Sequence, residues 1–366
     1  MADAAQRGLG PQATINLQAL RHNLQIVRQL APGSSIVSVI KADAYGHGML
    51  QVADALSESD MLAVARVSEG VLLREAGIKK PILVLEGFFE LFEISLAIEH
   101  QLDITIHHTR QIDLLENMEG VADASLGFWL KVDTGMHRLG MSVEEAEKSL
   151  TRLQALKCCS GTPVLMTHFA NADDINSDYT LNQIKAFRAF SSQYDFPVSL
   201  ANSAGIIAWP ESHQQWIRPG IMLYGASPML GIKGMDHQLQ PVMTLKSQLM
   251  AVNHLKKGDC IGYGSSWCCP DDMPVGVVAI GYGDGYPRHA VSGTPVLVNG
   301  QRTQIVGRVS MDMVTVDLRG IDTVEGDEVI LWGEGLPAEE IAASAGTISY
   351  ELFCGVTSRV RFEYGG

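Results

Sequence analysis

Apolar and polar positions follow two rhythms along the chain, and the rhythm changes near residue 230. From about residue 34 to about residue 224, short apolar runs alternate with longer stretches in which apolar residues recur every three or four positions. The short runs predict strands and the longer stretches predict helices. The candidate strands are residues 36–40, 61–65, 82–85, 103–106, 126–132, 164–168, 198–201 and 215–217. Eight strand–helix units favour an α/β fold, a (β/α)8 barrel, over an open doubly wound sheet.

Beyond residue 230, apolar residues mostly alternate with polar ones, which predicts a mainly β C-terminal domain. Its candidate strands are residues 242–253, 275–280, 296–298, 304–306, 313–317 and 328–331. Asn299 and Gly300 lie between two such runs and both tolerate positive φ, so we predict a hairpin there. We assign residues 11–230 to the barrel domain and residues 231–366 to the β domain, which residues 1–10 are candidates to join.

Polar residues stand where the candidate barrel strands end. In a (β/α)8 barrel, functional side chains collect at the C-terminal ends of the strands. The residues at or just after five of these ends are Lys41, Lys131, His168, Asn202, Ser203 and Arg218. Any one of them alone is often a solvated surface group, and Lys41 alone fits a snorkelling amine as well as a reactive one. Five such ends on one face favour a functional site.

Two of these strand ends also suggest an anion site. Ser203 opens a stretch of small residues that predicts a helix start, and the amides of Gly220 and Ile221 follow the eighth strand. Barrels commonly bind phosphate at these positions. An anion cradle opposite a lysine that can form a Schiff base is what pyridoxal 5′-phosphate requires, so we predict that cofactor.

Composition and charge argue against several other classes. With 366 residues, of which 46% are hydrophobic and 19% charged, the chain has the composition of a soluble two-domain protein. Its formal net charge of −14 argues against binding to nucleic acid or to an anionic membrane. We expect neither a signal peptide nor a membrane span, and hence a cytoplasmic protein. The six cysteines suggest neither a zinc site nor a disulfide framework, and we predict no metal.

Four longer motifs resemble the alanine racemases, bacterial enzymes of the barrel-type (fold III) pyridoxal-phosphate class. They are the stretch around Lys41 and residues 131–140 (KVDTGMHRLG), 218–225 (RPGIMLYG) and 307–313 (GRVSMDM). The matching motifs run in order through nearly the whole chain. The resemblance implies a homodimer with active sites shared between subunits, which interconverts L-alanine and D-alanine and so supplies D-alanine for peptidoglycan.

By this resemblance Lys41 would hold the cofactor and act as one acid–base, and Tyr263 of the second subunit would be the opposing base. Racemisation needs two such groups, because a proton leaves one face of Cα and returns to the other. His168, linked onward to Arg218, would help the tyrosine to ionise. Arg218 would face the pyridine nitrogen and donate a hydrogen bond without surrendering its proton. The weaker electron sink that results should limit side transamination.

The resemblance also assigns binding residues. Arg138 would bind the substrate carboxylate, and Lys131, often carbamylated in the family, would orient that arginine. Met311 and Asp312 would contact the substrate from the partner subunit, and Tyr282 would line the path by which substrate arrives. The cofactor-binding set is Lys41, Tyr45, Asn202, Ser203, Arg218, Gly220, Ile221 and Tyr350.

Three other functions share some of these features. A racemase of broader or different specificity, such as one acting on serine, has the same catalytic parts, although exported examples usually carry a signal sequence and disulfide cysteines. A decarboxylase of the same barrel class does not fit the matches at Tyr263, Met311 and Asp312. A non-catalytic, single-barrel carrier of pyridoxal phosphate lacks a β domain. The resemblance therefore favours an alanine racemase, with serine as a secondary substrate.

Overall fold

The computed structural model describes residues 10–118, 125–159 and 161–366. After a first strand, β1 (Gln12–Asn16), eight parallel strands follow in chain order and close into a barrel. They are β2 (Ser35–Val39), β3 (Met61–Val64), β4 (Ile82–Val84), β5 (Asp103–Ile106), β6 (Phe128–Lys131), β7 (Val164–Met166), β8 (Val198–Ser199) and β9 (Trp216–Ile217). Because β9 pairs in parallel with β2, the ring is closed. The predicted (β/α)8 barrel is confirmed.

Helices alternate with these strands and cover the barrel. Their bounds are α1 (Leu17–Leu30), α2 (Lys41–Gly46), α3 (Met49–Ala55), α4 (Val67–Glu75), α5 (Leu91–Glu99), α6 (Thr109–Glu116), α7 (Val143–Ala155), α8 (Tyr179–Ser191) and α9 (Ser203–Ala208). Local sequence sets where they begin. Asn16 caps α1 by accepting a hydrogen bond from the Ala19 amide, and Ser142 with Glu145 forms a capping box at α7. The strands between them are apolar because both of their faces are covered.

The C-terminal domain is mainly β, as predicted. Its strands are β10 (Met243–Leu255), β11 (Cys260–Ile261), β12 (Trp267–Cys268), β13 (Met273–Val278), β14 (Pro295–Val298), β15 (Gln301–Gln304), β16 (Val314–Asp317), β17 (Glu328–Trp332) and β18 (Arg361–Gly365), with helices α10 (Ala338–Ala345) and α11 (Ser349–Cys354). The main sheet has the order β15-β14-β17-β10-β1-β18, and β13 connects β16 to the long β10. The N-terminal strand β1 therefore belongs to this sheet.

Two details differ from or refine the sequence predictions. The predicted strand at 304–306 is misplaced, because β15 begins directly after the turn, at Gln301. The turn itself is as predicted, with Asn299 at φ 49° and Gly300 at φ 74°. The boundary between the domains at residue 230 stays a prediction, and residues 1–9 lie outside the described ranges. Among the described residues, no helix is both long and apolar enough to cross a membrane.

The prediction that the cysteines suggest no disulfide is wrong. Cys260 and Cys268 form a disulfide across the small antiparallel pair β11–β12, in which they lie directly opposite each other. The reason is local. Two strands of two residues each leave almost no periodic signal, so the turn that returns residue 268 to residue 260 is invisible in the apolar pattern. The other cysteines in the described residues are free.

Asn23 ties the barrel to the connection between the domains, so we expect its removal to destabilise the fold. Its buried side chain donates to the carbonyls of Leu223 and Gln240 and accepts from the Gln240 amide, at 2.8–3.0 Å. Asn23→Ala leaves buried backbone groups unpaired and should lower the free energy of unfolding by about 2–4 kcal/mol. Urea-induced unfolding measures this. The exposed Asn117→Ala is the control, with an expected change below ~0.5 kcal/mol, and equal effects would contradict the assignment.

Candidate active site

A cavity of about 960 Å3 opens at the end of the barrel where the strands terminate. Eleven of the residues predicted from the sequence line it: Lys41, Tyr45, Lys131, Arg138, His168, Asn202, Ser203, Arg218, Gly220, Ile221 and Tyr350. Ten of them come from the barrel, and Tyr350 comes from α11 in the C-terminal domain. The structure therefore brings the strand-end residues together, as expected for a barrel site.

Lys41 opens a segment of unusual backbone geometry. Residues 42–45 all have left-handed φ values, between 51° and 55°, although none of them is glycine. L-residues pay roughly 1–2 kcal/mol each for this conformation. Such strain persists only where the surroundings enforce it, and it concentrates at functional sites. α2 is thus a single left-handed turn that fixes where the chain leaves Lys41.

Surrounding side chains hold this turn in place. The Glu69 carboxylate accepts a hydrogen bond from the Ala42 amide at 2.7 Å, and Asp43 accepts one from the Met49 amide at 2.7 Å. The fully buried His47 donates from Nδ1 to the Tyr45 carbonyl at 2.9 Å, and burial lowers the pKa of His47 to about 4. Its ring is therefore neutral at physiological pH. Together these contacts provide part of the energy that the left-handed turn costs.

Arg218 is the most deeply held cation in the cavity. Its guanidinium donates to the Ser199 hydroxyl, and to the carbonyls of Thr167 and Leu200 at 2.6 and 3.3 Å. Burial lowers the pKa of Arg218 to about 10, so the side chain still carries its charge near neutral pH. A buried cation fixed by neutral acceptors keeps an uncompensated positive charge, which favours a ligand that accepts hydrogen bonds.

Lys131 lies at the end of β6, with only 6% of its surface exposed. Its pKa falls to about 8, first because burial disfavours the ammonium and then because of the nearby charge of Arg218. Arg138 and Lys41 lower it further. Near neutral pH about one molecule in ten would hold this amine uncharged. The uncharged amine is therefore more accessible at Lys131 than at an ordinary lysine.

His168 is a neutral imidazole rather than a source of charge. Burial, followed by the charge of Arg218, lowers the pKa of His168 well below its usual value. An Arg218 N–H points to its Nδ1 at 3.5 Å, which fits a tautomer with Nδ1 as acceptor and the proton on Nε2. If His168 helps the tyrosine to ionise, as expected, it can do so only by hydrogen bonding and not through a positive charge.

The predicted anion cradle has a defined geometry. The Gly220 amide donates to the Ser203 hydroxyl at 2.8 Å, and Asn202 caps α9 by accepting from the Gly205 amide at 2.9 Å. A Cβ atom at Gly220 would lie 2.5 Å from the Tyr45 hydroxyl oxygen, so only glycine allows this approach. Burial raises the pKa of Tyr45, which keeps its hydroxyl a donor. The structure therefore brings the hydroxyls of Ser203 and Tyr45 to the backbone at Gly220.

Sequence reasoning missed the residues that support this cradle. Tyr224 donates to the Val39 carbonyl at 3.0 Å and stacks on Tyr45, with ring centroids 4.7 Å apart. The His47 ring packs against Tyr224 at 4.6 Å, and Glu69 restrains the Lys41 turn. Tyr224 and His47 lie within the motifs quoted above, so their positions in those motifs could have marked them as part of the site. Glu69 carried no signal beyond its place in a helical first turn.

The remaining predicted residues lie outside this cavity. Tyr263, Met311, Asp312 and Tyr282 are all on the C-terminal domain and do not line the barrel site of their own chain. Tyr263 is 69% exposed and Met311 is 52% exposed. Asp312 pairs with Arg359 at 2.7 Å, and the Met311 carbonyl accepts from the Gly283 amide next to Tyr282. These four residues are therefore separate from the barrel cavity and lie on the exposed surface of the C-terminal domain.

The fold and the cavity define a class: a (β/α)8 barrel protein with a mainly β C-terminal domain and a cavity lined by several cations. The family model "Alanine racemase, N-terminal domain" matches residues 15–228, and "Alanine racemase, C-terminal domain" matches residues 242–364. The chain therefore belongs to the alanine racemase family, a family of isomerases.

Individual relatives support this placement over nearly the whole chain. The alanine racemase of Nitrosococcus oceani is 49% identical over 351 residues, covering 96% of this chain and 98% of the relative. That of Coxiella burnetii is 48% identical over 357 residues, covering 96% and 97%. The crystal structure of biosynthetic alanine racemase from Pseudomonas aeruginosa superposes with a TM-score of 0.95 at 40% identity, covering 98% of this chain and 100% of that one. The structure of alanine racemase from Acinetobacter baumannii gives 0.92 at 38%, with the same coverage.

We expect Glu69→Ala to loosen the turn that follows Lys41. Glu69 and Glu93 cap their helices in the same way, each accepting from two amides at 2.7 and 3.1 Å, but only Glu69 also binds the Ala42 amide. Loss of this charge-assisted bond should speed hydrogen exchange of residues 42–48 about tenfold. Exchange measured by mass spectrometry tests this. Glu93→Ala should leave that segment unchanged, and equal acceleration in both variants would refute the role of Glu69.

Proposed function

We propose that this protein racemises alanine with pyridoxal 5′-phosphate as cofactor, using Lys41 and Tyr263 of the partner subunit as its two bases. The observation that carries the proposal is the shared cavity. In it, Lys41 stands on an enforced left-handed turn, opposite a buried Arg218 and an anion cradle. Membership of the alanine racemase family supports the same reaction.

The residues present fit pyridoxal phosphate. The Ser203 hydroxyl, the backbone at Gly220 and Ile221, and the hydroxyls of Tyr45 and Tyr350 would hold the phosphate. Arg218 would face the ring nitrogen, and Lys41 would bind the cofactor covalently. When bound, this cofactor supplies an electron-withdrawing ring that stabilises the negative charge left at Cα after proton loss.

The chain's own residues then move the proton. The Lys41 amine takes or gives the Cα proton on one face of the substrate, and the Tyr263 hydroxyl acts on the opposite face. Tyr263 does not reach the cavity of its own chain, which supports its delivery by a second subunit. The neutral His168 would donate a hydrogen bond from Nε2 to the tyrosine oxygen and so favour its ionised form.

Arg218 tunes how strongly the ring withdraws electrons. Its pKa of about 10 keeps it protonated, so it would donate a hydrogen bond rather than a proton to the ring nitrogen. Because Arg218 would keep its own proton, the ring nitrogen of a bound cofactor would stay unprotonated, and the cofactor would supply a weaker electron sink. This supports racemisation over transamination.

Arg138 is the proposed partner of the substrate carboxylate. Its exposed guanidinium lines the cavity, and its charge contributes to the lowered pKa of Lys131. Met311 and Asp312 of the partner subunit would contact the substrate, and Tyr282 would border its path. Their exposure on the C-terminal domain supports this assignment.

The substrate proposal favours alanine, with slower action on serine. The Cys260–Cys268 disulfide removes one argument against a racemase of broader specificity. The relatives at 48–49% identity that bear the name alanine racemase favour alanine. We infer that the D-alanine serves peptidoglycan synthesis and that the enzyme works in the cytoplasm as a homodimer.

The direct test is conversion of L-alanine to D-alanine, measured with a stereospecific D-amino-acid oxidase. Purified enzyme loaded with pyridoxal phosphate should racemise alanine faster than serine. Lys41→Ala should lose covalent retention of the cofactor and at least about 1,000-fold in turnover, since it removes both the tether and one base. Tyr263→Phe should lose turnover and keep the cofactor. Faster serine racemisation would overturn the substrate, and full activity of Tyr263→Phe would overturn the second base.

We further propose that Lys131 is carbamylated by carbon dioxide. The neutral amine attacks carbon dioxide, forms an N–C bond and releases one proton to solvent, and the pKa of about 8 makes that neutral form accessible. The negative carbamate would then face Arg138 and Arg218 and relieve their repulsion. Carbon-13 NMR of enzyme in labelled bicarbonate should show a carbamate signal that decreases as pH falls from 8 to 6. Lys131→Gln should lack the signal, whereas Lys157→Gln, at an exposed site, should retain it. A signal unchanged by Lys131→Gln would contradict the assignment.

A further inference from the structure

The Tyr263 turn is closed by a disulfide that the proposed mechanism does not use. Cys260 and Cys268 face each other across the β11–β12 pair, and the chain between them carries Tyr263 at its turn. The sulfur–sulfur bond thus encloses residues 260–268 in a small covalent loop. Cleavage of this bond would therefore remove a covalent restraint from the loop that carries Tyr263.

Within its own chain, the base of this loop is anchored, but its tip makes few contacts. Ile261 and Cys269 are buried in a small apolar cluster with Met273, Val275 and Val306. Backbone hydrogen bonds of 2.8 Å join Gly258 to Cys269 and Cys269 to Asp259. These contacts fix the hairpin on the β domain up to the disulfide.

Beyond the disulfide, the turn has few restraints from its own chain. Tyr263 is 69% exposed, and the turn relies on positive φ at Gly262, Gly264 and Ser265. Its internal hydrogen bond, from the Ser265 amide to the Gly262 carbonyl, is long at 3.3 Å. Strands of two residues hold such a turn poorly without help. The disulfide therefore restricts the range of positions that the Tyr263 side chain can adopt.

Both bonded cysteines are exposed on the single chain, as is the free Cys354, whereas Cys158, Cys159 and Cys269 are buried. An exposed disulfide is open to attack by a soluble thiol, and such bonds are the labile ones. A dithiol reductant attacks one sulfur and breaks the sulfur–sulfur bond to form a mixed disulfide, which its second thiol then resolves. Two electrons and two protons pass to the cysteines, which end as two thiols, and the reductant ends as a cyclic disulfide.

We propose that Cys260–Cys268 is a reversible thiol–disulfide site that orders the Tyr263 turn and thereby sets the racemase rate. The oxidised loop presents the tyrosine in a narrow range of positions. The reduced loop samples more positions, and misplacement of a reacting group by about 1 Å costs up to ~100-fold in rate. The effect on rate rests on the proposed role of Tyr263, whereas the redox chemistry and the loop order do not.

The test uses the holoenzyme before and after dithiothreitol. Alkylation under native conditions, followed by mass spectrometry, should label Cys260 and Cys268 only after reduction, whereas the free, exposed Cys354 is open to labelling in both states. Hydrogen exchange of residues 261–267 should then speed up, and turnover should fall about tenfold and return on reoxidation. Free thiols at both positions in enzyme exposed to air, or reduction that changes neither exchange nor turnover, would overturn the proposal.

Paired variants separate the possible causes. Cys260→Ser with Cys268→Ser should have the reduced enzyme's turnover and ignore dithiothreitol, which controls for other effects of the reagent. Cys260→Val with Cys268→Val keeps an apolar cross-strand pair without the bond. Turnover as high as that of oxidised enzyme in the valine pair would refute the need for the covalent link. Tyr263→Phe should still show thiol labelling and faster hydrogen exchange after reduction. A wrong assignment of Tyr263 as a base can therefore be distinguished from a failure of the redox proposal.

Discussion

Repulsion between like charges is the constraint on which this site depends. Lys131 lies close enough to Lys41, Arg138 and Arg218 for each to lower its pKa. Burial removes the water that would screen them, and Asp133 offsets only part of the repulsion. A cavity of this kind is best stabilised by ligands or modifications that bring negative charge. The phosphate of the proposed cofactor, the substrate carboxylate and a carbamate on Lys131 would each do so.

The scaffold keeps these charges together at a cost in backbone strain and in desolvation of buried charge. α2 adopts left-handed geometry, and Arg218 is fixed by neutral oxygens of Thr167, Ser199 and Leu200 rather than by a carboxylate. A carboxylate partner would neutralise the guanidinium and remove its affinity for a ligand. The neutral His168 follows the same logic, because a positive charge on its ring would add to the repulsion from Arg218 and Lys131. The fold thus leaves the positive charge of the cavity to be neutralised by a bound ligand.

Much of the barrel could be predicted from sequence, because strands covered on both faces leave continuous apolar runs and their polar ends stand out. The strands near residues 36–40 and 103–106 lie where predicted, and Lys41 and Arg218 share a cavity. The handedness of α2 could not be predicted, since it depends on tertiary contacts such as that of Glu69. The Cys260–Cys268 disulfide was missed because strands of two residues have no period.

The most direct test of the central claim, that two subunits build each site, mixes two inactive variants. Dissociated Lys41→Ala and Tyr263→Phe subunits are combined in equal amounts and allowed to exchange. If Lys41 of one chain works with the tyrosine of the other, each hybrid has one intact site, and the mixture should recover about a quarter of wild-type turnover at random pairing. Proven exchange without any recovery would mean that both bases act within one chain, and would contradict the account.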